Sequence, residues 1–217
     1  PRALSSNLCS LLPDVIRLCL CVEVELDEEA TIKKTRLIRG FMKSRAKLSY
    51  GSVARALGFT EAPPRDPKAD AMVEDLKIAN ELSRKLRAKR MARGALDFDL
   101  PEAKLILGED GLPTGISKRS QDAGMKKAYQ LIEELMLLGN EVVATWLVEG
   151  ELPGIFRVHL PPDEKKLTKL SAMCELLGVE FDLDSTKDPK ALGELLKKFA
   201  KHPLSNVLNN LLLRSMK

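Results

Sequence analysis

From Leu18 to Leu26 the chain settles into alternation, with Val22, Glu23, Val24, Glu25 and Leu26 following the two-residue period of a half-buried strand. A turn at Asp27 to Ala30 leads into Thr31 to Lys43, rich in β-branched and aromatic residues (Thr31, Ile32, Thr35, Ile38, Phe41), so the two runs are expected to pair as an antiparallel hairpin. Ser49 to Leu57 predicts a short helix stopped by Gly58, where a positive φ costs little. Pro63, Pro64 and Pro67 make Thr60 to Lys68 a loop. From Asp70 to Ala92, Met72, Leu76, Ala79, Leu82 and Leu86 recur in steps of three and four, which places them on one helical face.

In the second half, Lys104 to Leu107 and Leu112 to Ile116 flank Gly108-Glu109-Asp110-Gly111, whose turn chemistry signals a hairpin. Asp122 to Glu149 is the longest helical pattern and is apolar over more than one stripe, so it is expected to be buried on several sides. Glu133 and Glu134 interrupt it, and each carboxylate must face solvent or a polar site, or find a partner. Phe156 to Leu160 reads as a short strand. Pro161-Pro162 opens a helix to Leu177, closed by Gly178, and helices from Pro189 to Ala200 and from Leu204 to Met216 follow. The expected fold is α+β: one domain over 1–217, with a mixed, largely antiparallel sheet from the two strand pairs packed by long helices.

Composition narrows the function classes. The 217 residues are 44% hydrophobic and 30% charged, enough apolar material for a sizeable core. No window approaches eighteen consecutive apolar residues, and Pro1 to Asp14 lacks the layout of a secretory signal, so the expected setting is soluble and cytoplasmic, with no membrane. Cys9, Cys19, Cys21 and Cys174 form no CxxC pair and read as small buried hydrophobes in reduced form. With His159 and His202 the only histidines, a zinc site is not expected. The formal charge of +4 permits a nucleic-acid partner without requiring one. Arg84, Lys85, Arg87, Lys89, Arg90 and Arg93 crowd together without an intervening acid. A solvated helix face complementing the helix dipole explains this cluster, and a phosphate-binding patch is the alternative.

No P-loop, dinucleotide glycine fingerprint, HExxH or GxSxG elbow occurs. What the sequence does carry is a series of worded segments. Leu4-Ser5-Ser6-Asn7-Leu8-Cys9-Ser10-Leu11-Leu12-Pro13 comes first, then Lys47-Leu48-Ser49-Tyr50-Gly51-Ser52-Val53. Arg93-Gly94-Ala95-Leu96-Asp97-Phe98 follows, then Leu131 to Glu141 (LIEELMLLGNE) and Phe156-Arg157-Val158-His159. In this order they resemble the catalytic, or RNB, domain of the ribonuclease II/R family. Gly139, where the family usually has alanine, and the doubled Ser5-Ser6 depart from its wording without touching a proposed contact.

The resemblance implies 3′ to 5′ exonucleolytic hydrolysis of single-stranded RNA to nucleoside 5′-monophosphates, with magnesium held by aspartates. It puts those aspartates in a motif preceding the first segment, and a catalytic arginine in one following the last helix. With Pro1 in place of an initiator methionine and a terminus inside a helical pattern, both ends read as cut. The expectation is a central fragment with no catalytic or metal-binding residue of its own, no bound cofactor, and substrate-binding residues only. By the same resemblance Phe98 stacks on bases near the 3′ end, Tyr50 lies near the terminal nucleotides, and Glu133 lies close to the terminal ribose, where it can accept a hydrogen bond from a 2′-hydroxyl. Without it, Phe98 reads as a core aromatic, Tyr50 as a helix N-terminal tyrosine, Glu133 as a surface residue and His159 as structural. The rival function is a non-catalytic RNA-binding or scaffold module of the same fold.

Overall fold

The computed structural model describes residues 2–98, 103–118, 122–158, 160–183, 186 and 188–216. It divides into two compact units, Pro1–Arg87 with Gln121–Gly154 and Ala88–Ser120 with Ile155–Lys217.

The first unit opens with a π-helical turn, Leu4–Leu8, that the polar start did not announce. Strands β1 (Ile16–Leu26) and β2 (Ile32–Lys43) then pair antiparallel, with Leu18 opposite Phe41 and Glu23 opposite Arg36. Asp27 organises the turn between them. Its carboxylate accepts the backbone N–H of Thr31 at 2.7 Å and lies 3.1 Å from Lys33 Nζ. Leu18 and Phe41 are 86% and 74% exposed, so the ribbon leaves its apolar face uncovered. On the opposite strand face Cys19 and Cys21 are not buried either, contrary to expectation. They share a strand face with Sγ atoms 3.4 Å apart, Cys9 is exposed, and Cys174 alone is buried.

Helix α1 (Tyr50–Ala56) is capped by Ser49, which exchanges hydrogen bonds with Ser52. The proline-rich segment expected as loop contains one helical turn, α2 (Pro67–Asp70), because Pro67 is preset for a first helical position and Asp66 caps it. The helix expected from Asp70 therefore begins later, as α3 (Val73–Ala92). Helix α4 (Ala123–Glu149) is capped by Asp122, and its small residues Gly124 and Ala128 bring it onto α1 and the segment after it.

In the second unit β3 (Ala103–Leu107) and β4 (Pro113–Lys118) form the other antiparallel ribbon. The strand pairs were expected to share one sheet; among the described residues they are two separate two-stranded sheets. Phe156–Leu160 is not a strand in its described part. Val158 and Leu160 are 85% and 67% exposed, and no neighbouring strand takes up their backbone groups. His159 lies outside the described residues. Helix α5 (Glu164–Leu176) starts at the Asp163 cap rather than at Pro161, since the Asp163 side chain satisfies the free N–H of Lys166.

Helices α6 (Pro189–Ala200) and α7 (Ser205–Ser215) complete that unit. Leu192, Leu195, Leu196 and Phe199 form the stripe of α6 that meets Leu167, Leu170 and Cys174 of α5 and Leu208 and Leu212 of α7. Lys166 Nζ donates to the Arg214 carbonyl at 2.9 Å, satisfying an open acceptor at the end of α7.

Two predictions follow from these contacts. Phe199 is fully buried, so Phe199→Ala should lower the unfolding free energy by about 3–5 kcal/mol in a denaturant titration. The Thr31 N–H and the Lys33 ammonium hold the Asp27 carboxyl down at about 2. Because the folded value is depressed, its stabilising contribution is complete above the ordinary carboxylate range and fades as pH falls from about 4 toward 2. Carboxyl-carbon NMR should show Asp27 titrating near the bottom of that window, and Asp27→Asn should flatten the acid limb of the stability profile.

Candidate RNA-facing site

Everything at this site is set by how α4 begins. A Cβ at Gly124 would collide with the backbone carbonyl of Phe59, so only glycine lets the first turn of α4 come so close to the end of α1. Thr60 Oγ1 donates to the Asp122 carboxylate at 2.9 Å, and Asp122 in turn accepts the Gly124 N–H at 2.7 Å. Those two bonds keep the Asp122 carboxyl below its ordinary range, the Thr60 hydroxyl first and the Gly124 N–H second.

With the helices so registered, the Tyr50 ring at the start of α1 lies 4.2 Å from the Tyr129 ring on α4, tilted by 43°. Tyr50 keeps 40% of its surface exposed. Glu133 is exposed one helical turn beyond Tyr129, a spacing that places the two on one face of the helix. The structure thus brings Tyr50 and Glu133 to a common face through Tyr129, which the sequence reading passed over. Its signal was present: an aromatic four residues before a candidate carboxylate on a long helix.

The adjacent carboxylates part company. Glu134 is only 2% exposed and lies 3.3 Å from Arg87 on α3, whose own side chain is 22% exposed. One residue along a helix is about 100° of rotation, so Glu133 meets solvent while Glu134 meets α3. The basic cluster is likewise not uniform. Lys85 donates to the Glu28 carbonyl at 2.9 Å and pairs with Glu81 at 3.0 Å, while Arg87 turns inward.

Phe98 belongs to the second unit. It is half-buried and packs against the α5–α7 core, as a core aromatic would. Ala95 and Asp97 beside it line a cleft of about 590 Å³ against α6.

The chain is α+β, with Tyr129 and Glu133 on one face of α4 and Tyr50 of α1 in ring contact with Tyr129. The RNB domain model matches it over residues 1–217, and the chain belongs to that family. It is 35% identical to ribonuclease R of Aquifex aeolicus and 30% identical to that of Escherichia coli, in each case over its whole length, but spans only 30% and 26% of those proteins. Among solved structures it resembles Mycoplasma genitalium RNase R in complex with ribose-methylated single-stranded RNA, with TM-score 0.86 and 29% identity. That match covers 100% of this chain and 33% of that one. The RNase R apo form matches with TM-score 0.85 and the same identity, over 99% of this chain and 33% of the other.

Among the described residues no three His, Cys, Asp or Glu side chains come together in a group that could hold a metal ion. None of the helices among them is long and apolar enough to cross a membrane.

The inward pair sets a test of the assignment of the two glutamates. Glu134→Ala removes a buried carboxylate 3.3 Å from Arg87 and should cost about 1–3 kcal/mol of stability. Glu133→Ala should change it by no more than about 0.5 kcal/mol. Paired thermal denaturation curves check this, and equal losses would contradict it.

Proposed function

We propose that this chain forms the substrate-positioning part of an exoribonuclease that hydrolyses single-stranded RNA from the 3′ end to nucleoside 5′-monophosphates in the cytoplasm. The observation that carries this reading is the whole-chain match to an RNase R solved with ribose-methylated single-stranded RNA. The face holding Tyr50, Tyr129 and Glu133 supports it chemically. Exposed aromatic surface suits any base, because every base has a π-face, and a carboxylate accepts a hydrogen bond from a 2′-hydroxyl that DNA lacks. Phe98, half-buried against the core of the second unit, contributes the part of its ring that is not packed away.

In this reading the magnesium of the intact enzyme, its aspartates and its arginine are carried by residues outside these 217. Magnesium would activate water and stabilise the leaving oxygen there. The present residues bind and orient RNA, and this chain by itself is expected to bind single-stranded RNA without cleaving it.

Anisotropy titration with a labelled oligoribonucleotide, and with the same strand ending in a 2′-deoxynucleotide, tests the assignment. The RNA-ended strand should bind more tightly by roughly tenfold, as expected from about 1.5 kcal/mol for a hydrogen bond to a charged group. Glu133→Gln should erase most of that preference, and Tyr50→Ala should weaken both strands. A chain that binds neither strand would sink the reading.

A further inference from the structure

Between α3 and α4 lies a cleft of about 400 Å³ lined by Phe59, Asn80, Ser83, Arg84, Arg87, Lys127, Gln130 and Glu134, all in the first unit. Three cations and one carboxylate face it. Glu134, the single acid, is already engaged by Arg87 at 3.3 Å. Arg84 and Lys127 have no carboxylate or hydrogen-bond acceptor among the described residues, and Lys127 rests over the Phe59 ring, 5.1 Å from its centroid. Elsewhere in the same unit Lys33, Arg36, Arg45, Lys77 and Lys85 each lie on a carboxylate. Two unneutralised cations lining one cleft repel each other until an anion joins them.

We propose that this cleft is a seat for a backbone phosphate of single-stranded RNA, held between Arg84 and Lys127 with the side-chain amides of Asn80 and Gln130 as neutral donors. The proposal rests on the RNA-binding reading above and adds a site to it. Phosphate suits the cleft because a planar guanidinium offers paired donors to its oxygens and an ammonium offers a compact charge. Lys127 is a sound moving part, since its own side chain is exposed and its contact with the half-buried Phe59 ring is worth only about 0.5–1 kcal/mol, which it can exchange for an anion. Arg87 is the fixed part, tied to Glu134, so the cleft keeps its shape while Arg84 and Lys127 close on the ligand. RNA is the favoured source of the phosphate because the chain matches over its whole length an RNase R solved with single-stranded RNA, and the cleft is a separate side of α4, with Lys127 about 160° around the helix from Tyr129.

Labelled single-stranded oligoadenylate, titrated by anisotropy over a range of salt, tests the site. Arg84→Ala with Lys127→Ala should weaken binding roughly tenfold and reduce the slope of log K against log salt by about 0.7 for the phosphate lost. The exchanged pair, Arg84→Lys with Lys127→Arg, should restore most of both. Independently of any variant, bound RNA should protect Lys127, but not Lys77, from reductive methylation read by mass spectrometry. A folded double-alanine variant with unchanged affinity, or with reduced affinity and an unchanged salt slope, overturns the proposal, as does equal methylation of Lys127 with and without RNA. Protection of Lys127 by adenosine 5′-monophosphate as strong as that by RNA would assign the cleft to a monoester and overturn it too. Were the unmodified chain to bind no RNA, the broader reading would fail along with this one. RNA binding that ignores Arg84 and Lys127 would remove this site alone.

Discussion

Gly124 occupies a point where any side chain would collide with the carbonyl of Phe59, and that close approach governs the first unit. It lets Asp122 serve two elements at once, capping α4 and accepting the Thr60 hydroxyl beyond α1. Because both ends of the contact are backbone or short side chains, there is little rotamer freedom to absorb a change in register. The tilted ring contact between Tyr50 and Tyr129 follows from this alignment. The first unit has few large buried side chains, relying on Ala54, Ala128, Leu131 and Val142, so the precision of its site comes from close backbone packing and caps rather than from bulk.

The second constraint is electrostatic. A carboxylate as buried as Glu134 has a desolvation cost that its partner must offset, and the pair gains little net stability over an apolar replacement. What it supplies is geometry: Arg87 is committed to α4, which divides the basic run of α3 into members with different work. Lys85 ties the helix to the β1–β2 turn through the Glu28 carbonyl, Arg87 ties it to Glu134, and Arg84 remains toward the cleft. A uniform solvated stripe would have left all three pointing to water.

Much of this was legible in the residues. Alternation gave the first hairpin and turn chemistry the second, Ser49, Gly58 and Gly178 marked helix boundaries, and the worded segments pointed to the family. The strand expected at Phe156 failed because apolar alternation reports a wish for burial, not the presence of a partner, and the described neighbours of Val158 and Leu160 do not provide one. The shared sheet failed for a related reason, since period and turn chemistry specify who pairs within a hairpin but say nothing about which hairpins meet. The cysteines of β1 were misread because burial was inferred from residue type, while the ribbon carrying them exposes even Leu18 and Phe41.

The site shows the same division between local and non-local information. Sequence could say that Glu133 and Glu134 point apart, because that is a property of one helix. It could not say which faces α3, because the answer depends on Arg87, 47 residues away. The same holds for the basic cluster: read along the chain its six cations are equivalent neighbours, and only their partners on other elements distinguish them. A carboxylate committed to a buried pair cannot also meet an incoming ribose without abandoning its cation. The pairing of Glu134 with Arg87 is thus information that the fold adds to the motif.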